Sequence, residues 1–272
     1  MNEDMSIMHT SSQKPVFLFS LATLIFAAAG ILLREAELTS VFEADTGLTS
    51  FSPLTVALIL VSCLAVVFYA VFSRKTDLSQ TPVDYVSVFR PSTPFPLVIS
   101  VFTLLIMLLG AYLCYFFGLL NIASAAACIL ALLAALSGVS GFILSLNAFR
   151  KKSRGNIILP AVADVVFLCF WTVIYYRQQA ANPVLIDGMY AFLGLCASTL
   201  AFFYITGFTA GRPAPASTLL FSGMGIYFCI IAILNTSVTA YSLFFAVLAI
   251  RLYIGSVLLL RSRKQENSET QG

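Results

Sequence analysis

Two ionisable residues stand in stretches otherwise suited to hydrocarbon: Asp164 in LPAVADVVFLCFW and Arg251 in LFFAVLAIRLYIGSVLLL. A charged side chain near the middle of an apolar helix costs roughly 2.5–3.5 kcal/mol on insertion scales, so each calls for a partner or a purpose. Each costs less facing the other than facing lipid. Such a pair is either a fixed clamp that sets helix register or part of a polar site for a solute or proton. Nearby residues bear on the second reading, with the fixed clamp as the plainer one. Pro160 removes the backbone bond to the carbonyl of Asn156, which predicts a kink one turn before Asp164. Gly255, one turn after Arg251, bares the backbone on the same helical face, and Thr206, Ser222 and Tyr253 offer polar groups in the same half of the chain. Kinked helices that carry charge near the midplane are where transporters bind solutes and ions.

Other chemistries find less support. Gly138-Val139-Ser140-Gly141 has the form of an intramembrane serine-protease motif, but no histidine or lysine lies in any apolar segment to act as general base. The same stretch reads better as packing: Ala127, Ala131, Ala134, Ala135, Gly138, Gly141 and Ser145 recur at three- and four-residue spacing, a small-residue stripe for close helix contact. Asp164 alone cannot supply the two facing carboxylates of aspartyl chemistry. The sole histidine is His9, and Cys63, Cys114, Cys128, Cys169, Cys196 and Cys229 fall one to a segment with no C-x-x-C pair. They read as small buried hydrophobes, with no disulfide, metal site or cofactor expected. No phosphate loop or dinucleotide fingerprint occurs. An enzyme is not expected.

The elements that must position Asp164 and Arg251 follow from composition. Of the 272 residues 60% are hydrophobic and 10% charged, against about 25% charged in soluble domains. This is an all-α polytopic integral membrane protein, a bundle of eight transmembrane helices expected near 15–33, 53–73, 96–118, 123–149, 156–176, 188–210, 216–235 and 238–260. The residues 15–260 form one domain between tails 1–14 and 261–272, with possible halves 15–149 and 156–260 separated at Arg150-Lys151-Lys152-Ser153-Arg154. Turn-forming Asn121 and Asn235-Thr236-Ser237 divide two long apolar runs. The first span has a rival reading as a cleaved secretory signal, but its apolar run continues through Ile31-Leu32-Leu33, which favours an uncleaved span.

Orientation follows from the basic residues. With eight spans, Lys14, Arg74, Lys75, Arg90, Arg150 to Arg154, Arg212, Arg261, Arg263 and Lys264 share one side, expected to be cytoplasmic, which places both termini inside. The other side carries Glu35, Glu37, Glu43 and Asp45, read as a solvated acidic run with no site, and Tyr175, Tyr176 and Tyr190 as part of an aromatic belt. The proline-rich segment around Val83 to Arg90 reads as an amphipathic piece on the membrane surface or as a docking loop. A plasma or inner membrane is the expected location. Two functions fit: a small-solute permease or transporter component with a midplane polar site, or a non-catalytic membrane subunit or assembly factor acting through helix contacts. The expected partners are the lipid bilayer and either a small solute or a membrane protein, with no nucleic acid.

Overall fold

The computed structural model describes residues 2–40, 52–78, 81–91, 93–116, 124–150, 157–180, 185–235 and 238–262. Nine helices are seen among them: α1 (Asn2–Ser40), α2 (Pro53–Lys75), α3 (Tyr85–Val88), α4 (Phe95–Phe116), α5 (Ser124–Arg150), α6 (Ile158–Gln179), α7 (Leu185–Thr209), α8 (Pro215–Asn235) and α9 (Thr239–Ser262). All except α3 are long and apolar enough to cross a membrane, so the chain is an all-helical bundle with eight membrane-length helices. Local chemistry sets several ends. Ser52 caps α2 by accepting a hydrogen bond from the Leu54 amide, Pro53 opens the helix where no amide partner is needed, and Arg74 and Lys75 close it at the negative end of the helix dipole.

Two elements depart from the sequence expectation and a third sharpens it. First, α1 runs on to Ser40 rather than ending at 33, because Arg34 and Glu37 satisfy each other inside the bundle. Second, Pro160 produces no mid-helix kink: α6 begins at Ile158, so the proline sits in the first turn, where its missing amide would have no intrahelical partner. Third, the segment after α2 is amphipathic as expected, and it turns its apolar side onto the bundle's own helices. Tyr85, Val88 and Phe89 are buried, and α3 packs on α5, α7 and α9. The loop stretches around Asn121, Lys151 to Asn156, Glu43 to Asp45 and Thr236-Ser237, and the tail from Arg263, lie outside the described residues.

Cross-helix bonds show opposite directions for α1 and α2, α6 and α7, and α8 and α9. The Tyr69 hydroxyl near the end of α2 donates to Thr23 early in α1, while Thr55 at the start of α2 donates to Glu37 late in α1. Ser242 early in α9 donates to the Ile233 carbonyl late in α8, and the Tyr253 hydroxyl late in α9 donates to Ser20. Phe89, Pro96, Ala148, Ala161, Thr206 and Leu258 meet around one cavity and Arg74 meets Pro215, so Arg74, Lys75, Arg90, Arg150, Arg212 and Arg261 gather at one end of the bundle, called here the basic end.

Burial follows the small residues. The α5 stripe faces inward: Ala127, Ala131 and Ala134 are buried, and a β-carbon on Gly138 would stand 2.9 Å from Met107 Cβ of α4. Another close approach was not signalled by the stripe. Between α7 and α8, a β-carbon on Gly194 would meet the Cys229 amide nitrogen at 3.2 Å, and one on Gly225 would meet Ser198 Oγ at 3.1 Å. An aromatic knot of Phe167, Trp171, Tyr241, Phe244 and Phe245 ties α6 to α9. The hairpin of α1 and α2 docks chiefly on α8, so α4, α5, α6, α7 and α9 are left to enclose the site.

Two further expectations need correction. Tyr175 and Tyr190 are buried rather than belted at the surface; only Tyr176 of the three is exposed. Of the six cysteines, Cys114 and Cys229 are buried, but Cys63, Cys128 and Cys169 are exposed on the bundle's outer face; all six are free thiols. In hydrocarbon a thiol on that face behaves as one more small apolar group.

Candidate functional site

Asp164 lies in the second turn of α6 and is 1% exposed. Arg251 reaches it from α9: Nη1 donates to Oδ1 at 3.0 Å and Nη2 donates to Oδ2, a two-point charge-assisted pair. Two serines of α5 complete the carboxylate's shell. Ser137 donates to Oδ1 at 2.6 Å and Ser140 at 3.1 Å. Both carboxylate oxygens are thus occupied, which offsets much of the cost of burying the charge.

The guanidinium is seated as closely as the carboxylate. A β-carbon on Gly141 would lie 2.5 Å from Nη2 and 2.6 Å from Cζ, so only glycine leaves room there. Phe202 of α7 presents its ring 4.9 Å from Cζ, within cation–π range. Gly141 therefore serves a side chain rather than helix-on-helix packing, in contrast to Gly138. The reading of GVSG as a plain packing stripe missed this. Ser137 and Ser140 are ligands of the carboxylate, and the signal available in the sequence was that Ser137, Ser140 and Gly141 share one helical face.

Beside the pair is a cavity of about 90 Å³ toward the basic end. Its walls are largely apolar: Phe89, Pro96, Leu144, Ile205, Ile254 and Leu258 are among them. Polar groups reach it from Tyr85, Ser100, Thr103, Ser145 and Thr206, and the charged pair forms one side. The two charges present themselves unequally, for the Arg251 side chain is 14% exposed and Asp164 only 2%. Burial, the largest influence, pushes the Tyr85 phenol pKa up; Arg251 opposes this and Asp164 adds to it. That hydroxyl, on α3 outside the eight long helices, stays protonated and able to donate.

The sequence-selected residues divide. Thr206 and Gly255 line the cavity with Asp164 and Arg251, and Ser145, chosen for packing, lines it too. A β-carbon on Gly255 would meet Phe89 at 3.8 Å and Ile205 at 3.9 Å, ordinary contact distances, so the position accepts a β-carbon without displacing either neighbour. Thr206 Oγ1 donates to the carbonyls of Phe202, at 2.8 Å, and Ala161, at 3.1 Å, tying α7 to α6. Pro160, Ser222 and Tyr253 are not brought to the cavity. Ser222 is 1% exposed in α8 with no partner for its hydroxyl among the described residues, and Tyr253 faces Ser20 of α1.

A second buried charge pair includes Glu37, which the sequence places in a solvated acidic run. Arg34 and Glu37, both 0% exposed, are bonded at 2.5 Å near the end of α1 remote from the basic end; Thr55 donates to Glu37 at 2.6 Å, and the Tyr190 ring lies 5.6 Å from Arg34 Cζ. The spacing Arg34-x-x-Glu37 was visible, but its neighbours on α2 and α7 were not. Among the described residues no group of three His, Cys, Asp or Glu side chains is arranged to hold a metal ion. The chain matches no family model, no curated protein and no solved structure with which it was compared.

Proposed function

We propose that the chain is a small-solute permease or transporter component whose binding site is the cavity beside Asp164 and Arg251. The observation that carries this reading is the placement of the pair: a structural clamp needs neither charge at a cavity, yet here both residues line one, the guanidinium with the larger exposed share. The solute would be small. The cavity measures about 90 Å³, which suits a molecule of small size. In this reading the basic end faces the cytoplasm of a plasma or inner membrane, both termini are cytoplasmic, and the protein performs no covalent chemistry. Asp164 and Arg251 then bind or gate the solute, and Thr206, Ser145 and Gly255 shape its berth.

The alternative is a non-catalytic membrane subunit or assembly factor. Its motivating feature was the α5 stripe, which α4 already covers at Gly138 and which Arg251 occupies at Gly141. That use within the chain favours the permease.

The experiment is solute exchange. Proteoliposomes loaded with a mixture of small organic solutes are assayed by mass spectrometry for what leaves. Wild type should release a solute that Gly255→Leu, which fills the cavity, retains. Identical release by the two proteins would count against the proposal.

A further inference from the structure

The hydrogen-bond pattern of Arg251 defines the class of solute. A guanidinium carries five N–H donors in a fixed plane, arranged as two usable edges. Asp164 takes the end formed by Nη1 and Nη2, and Nη1 also reaches Ser137 Oγ at 3.4 Å. The second N–H of Nη2 and the N–H of Nε lie side by side along the other edge and meet no acceptor among the described residues. Arg251 lines the cavity and keeps 14% of its side chain exposed.

We infer that this free edge is the receptor for a carboxylate on a short apolar stem, bound as a second two-point pair opposite Asp164. The inference rests on the permease reading of the cavity. A carboxylate offers two coplanar acceptors at the spacing of the Nε–Nη2 fork, whereas an amide offers one acceptor and an ammonium none. The repulsion such an anion meets from Asp164 is limited, because three donor side chains hold that carboxylate and Arg251 stands between the two. Tyr85, protonated and lining the same cavity, supplies a further donor on the α3 side. Leu144, Ile205, Ile254 and Leu258 suit a hydrocarbon stem, and the volume limits it to a few carbons. The carboxylate has two possible sources, a free short-chain acid or the head of a longer membrane-derived fatty acid. The size of the cavity favours the first.

The test uses the full chain purified in detergent and three isosteric probes: butyrate, butyramide and butylammonium. Thermal midpoint is followed against probe concentration. Butyrate should raise the midpoint and reach half effect at about tenfold lower concentration than either isostere, the factor equivalent to 1.4 kcal/mol. Gly255→Leu should abolish the butyrate response, and Gly255→Ala, whose β-carbon fits at ordinary contact distance, should weaken it several-fold and decides the matter if the leucine variant misfolds. Laurate separates the sources: a response to laurate with none to butyrate assigns the carboxylate to a lipid-derived chain and overturns the short-stem claim. Equal responses to all three probes, or a butyrate response that survives both Gly255 variants, overturn the inference. A response to butyramide or butylammonium alone, lost in Gly255→Leu, overturns the carboxylate assignment while leaving the cavity a solute site. No response to any probe overturns the carboxylate assignment, and the solute-exchange assay then judges the permease reading separately.

Discussion

Replacing Gly141 by alanine separates a seat for a side chain from a helix packing face. The added β-carbon would lie 2.6 Å from Arg251 Cζ, about 1 Å inside the 3.5–4.0 Å optimum for carbon pairs. The clash falls on the face of the guanidinium, so a retreat tilts the group out of line with the Asp164 oxygens and strains the two-point pair. Losing a hydrogen bond to a charged group costs about 1.5–3 kcal/mol and overpacking about 1–3 kcal/mol, while alanine's helix propensity returns about 0.8–1 kcal/mol. The net expected loss is about 2–5 kcal/mol. In a background carrying Asp164→Ala and Arg251→Ala the obstacle is gone, and Gly141→Ala should be neutral or stabilising by up to about 1 kcal/mol. Unfolding titrations in mixed micelles measure both. Gly138→Ala serves as control, because its β-carbon meets Met107 of α4 and should cost the same in the two backgrounds. An equal cost for Gly141→Ala in both backgrounds would refute the seat.

Further predictions concern the polar contacts and the topology. Ser137→Ala, which removes the 2.6 Å donor to Asp164, should destabilise by about 1.5–3 kcal/mol, and Ser140→Ala, at 3.1 Å and shared with the Ser137 carbonyl, by less; the same titrations rank them. Glu37→Gln and Arg34→Gln should each cost about 3–5 kcal/mol and the double variant less than their sum, with additive losses contradicting a shared buried pair. Reporter fusions after Lys75, Arg150 and Arg212 should all read cytoplasmic and a fusion near Glu43 external, whereas the reverse pattern would invert the proposed orientation.

The long helices were legible because membrane spans are the strongest signal an amino-acid sequence carries: runs of about twenty apolar residues broken by charge or turn formers. From α2 onward the expected and observed limits differ by three residues or fewer. The end of α1 was misjudged because a charge reads as a boundary unless its partner is seen, and Arg34 and Glu37 are each other's partner. The same limit applied to the site. Depth along two helices suggested that Asp164 and Arg251 could meet, since each is a charge in hydrocarbon, but rotation about the helix axis decides which neighbours join them. Ser137, Ser140 and Gly141 join from α5, whereas Ser222 and Tyr253 face elsewhere. Pro160 shows that a residue rule depends on position: the proline that would break a helix interior is harmless in a first turn. The helices that receive the apolar side of α3 were hidden, because four residues are too few for a pattern to name their partners.

The measurement that bears most directly on the proposed permease is access to position 255 from the two sides of the membrane. Gly255→Cys, placed in a chain whose six native cysteines are replaced, puts a thiol on the cavity wall with its β-carbon at ordinary contact distance. In oriented vesicles a membrane-impermeant thiol reagent added at the basic end should label it, and added at the opposite side should label it at a rate that changes when solute is present, because a permease must open its site to each side in turn. Labelling from the basic end alone, unaffected by solute, or from neither side would contradict a transport role for the cavity beside Asp164 and Arg251.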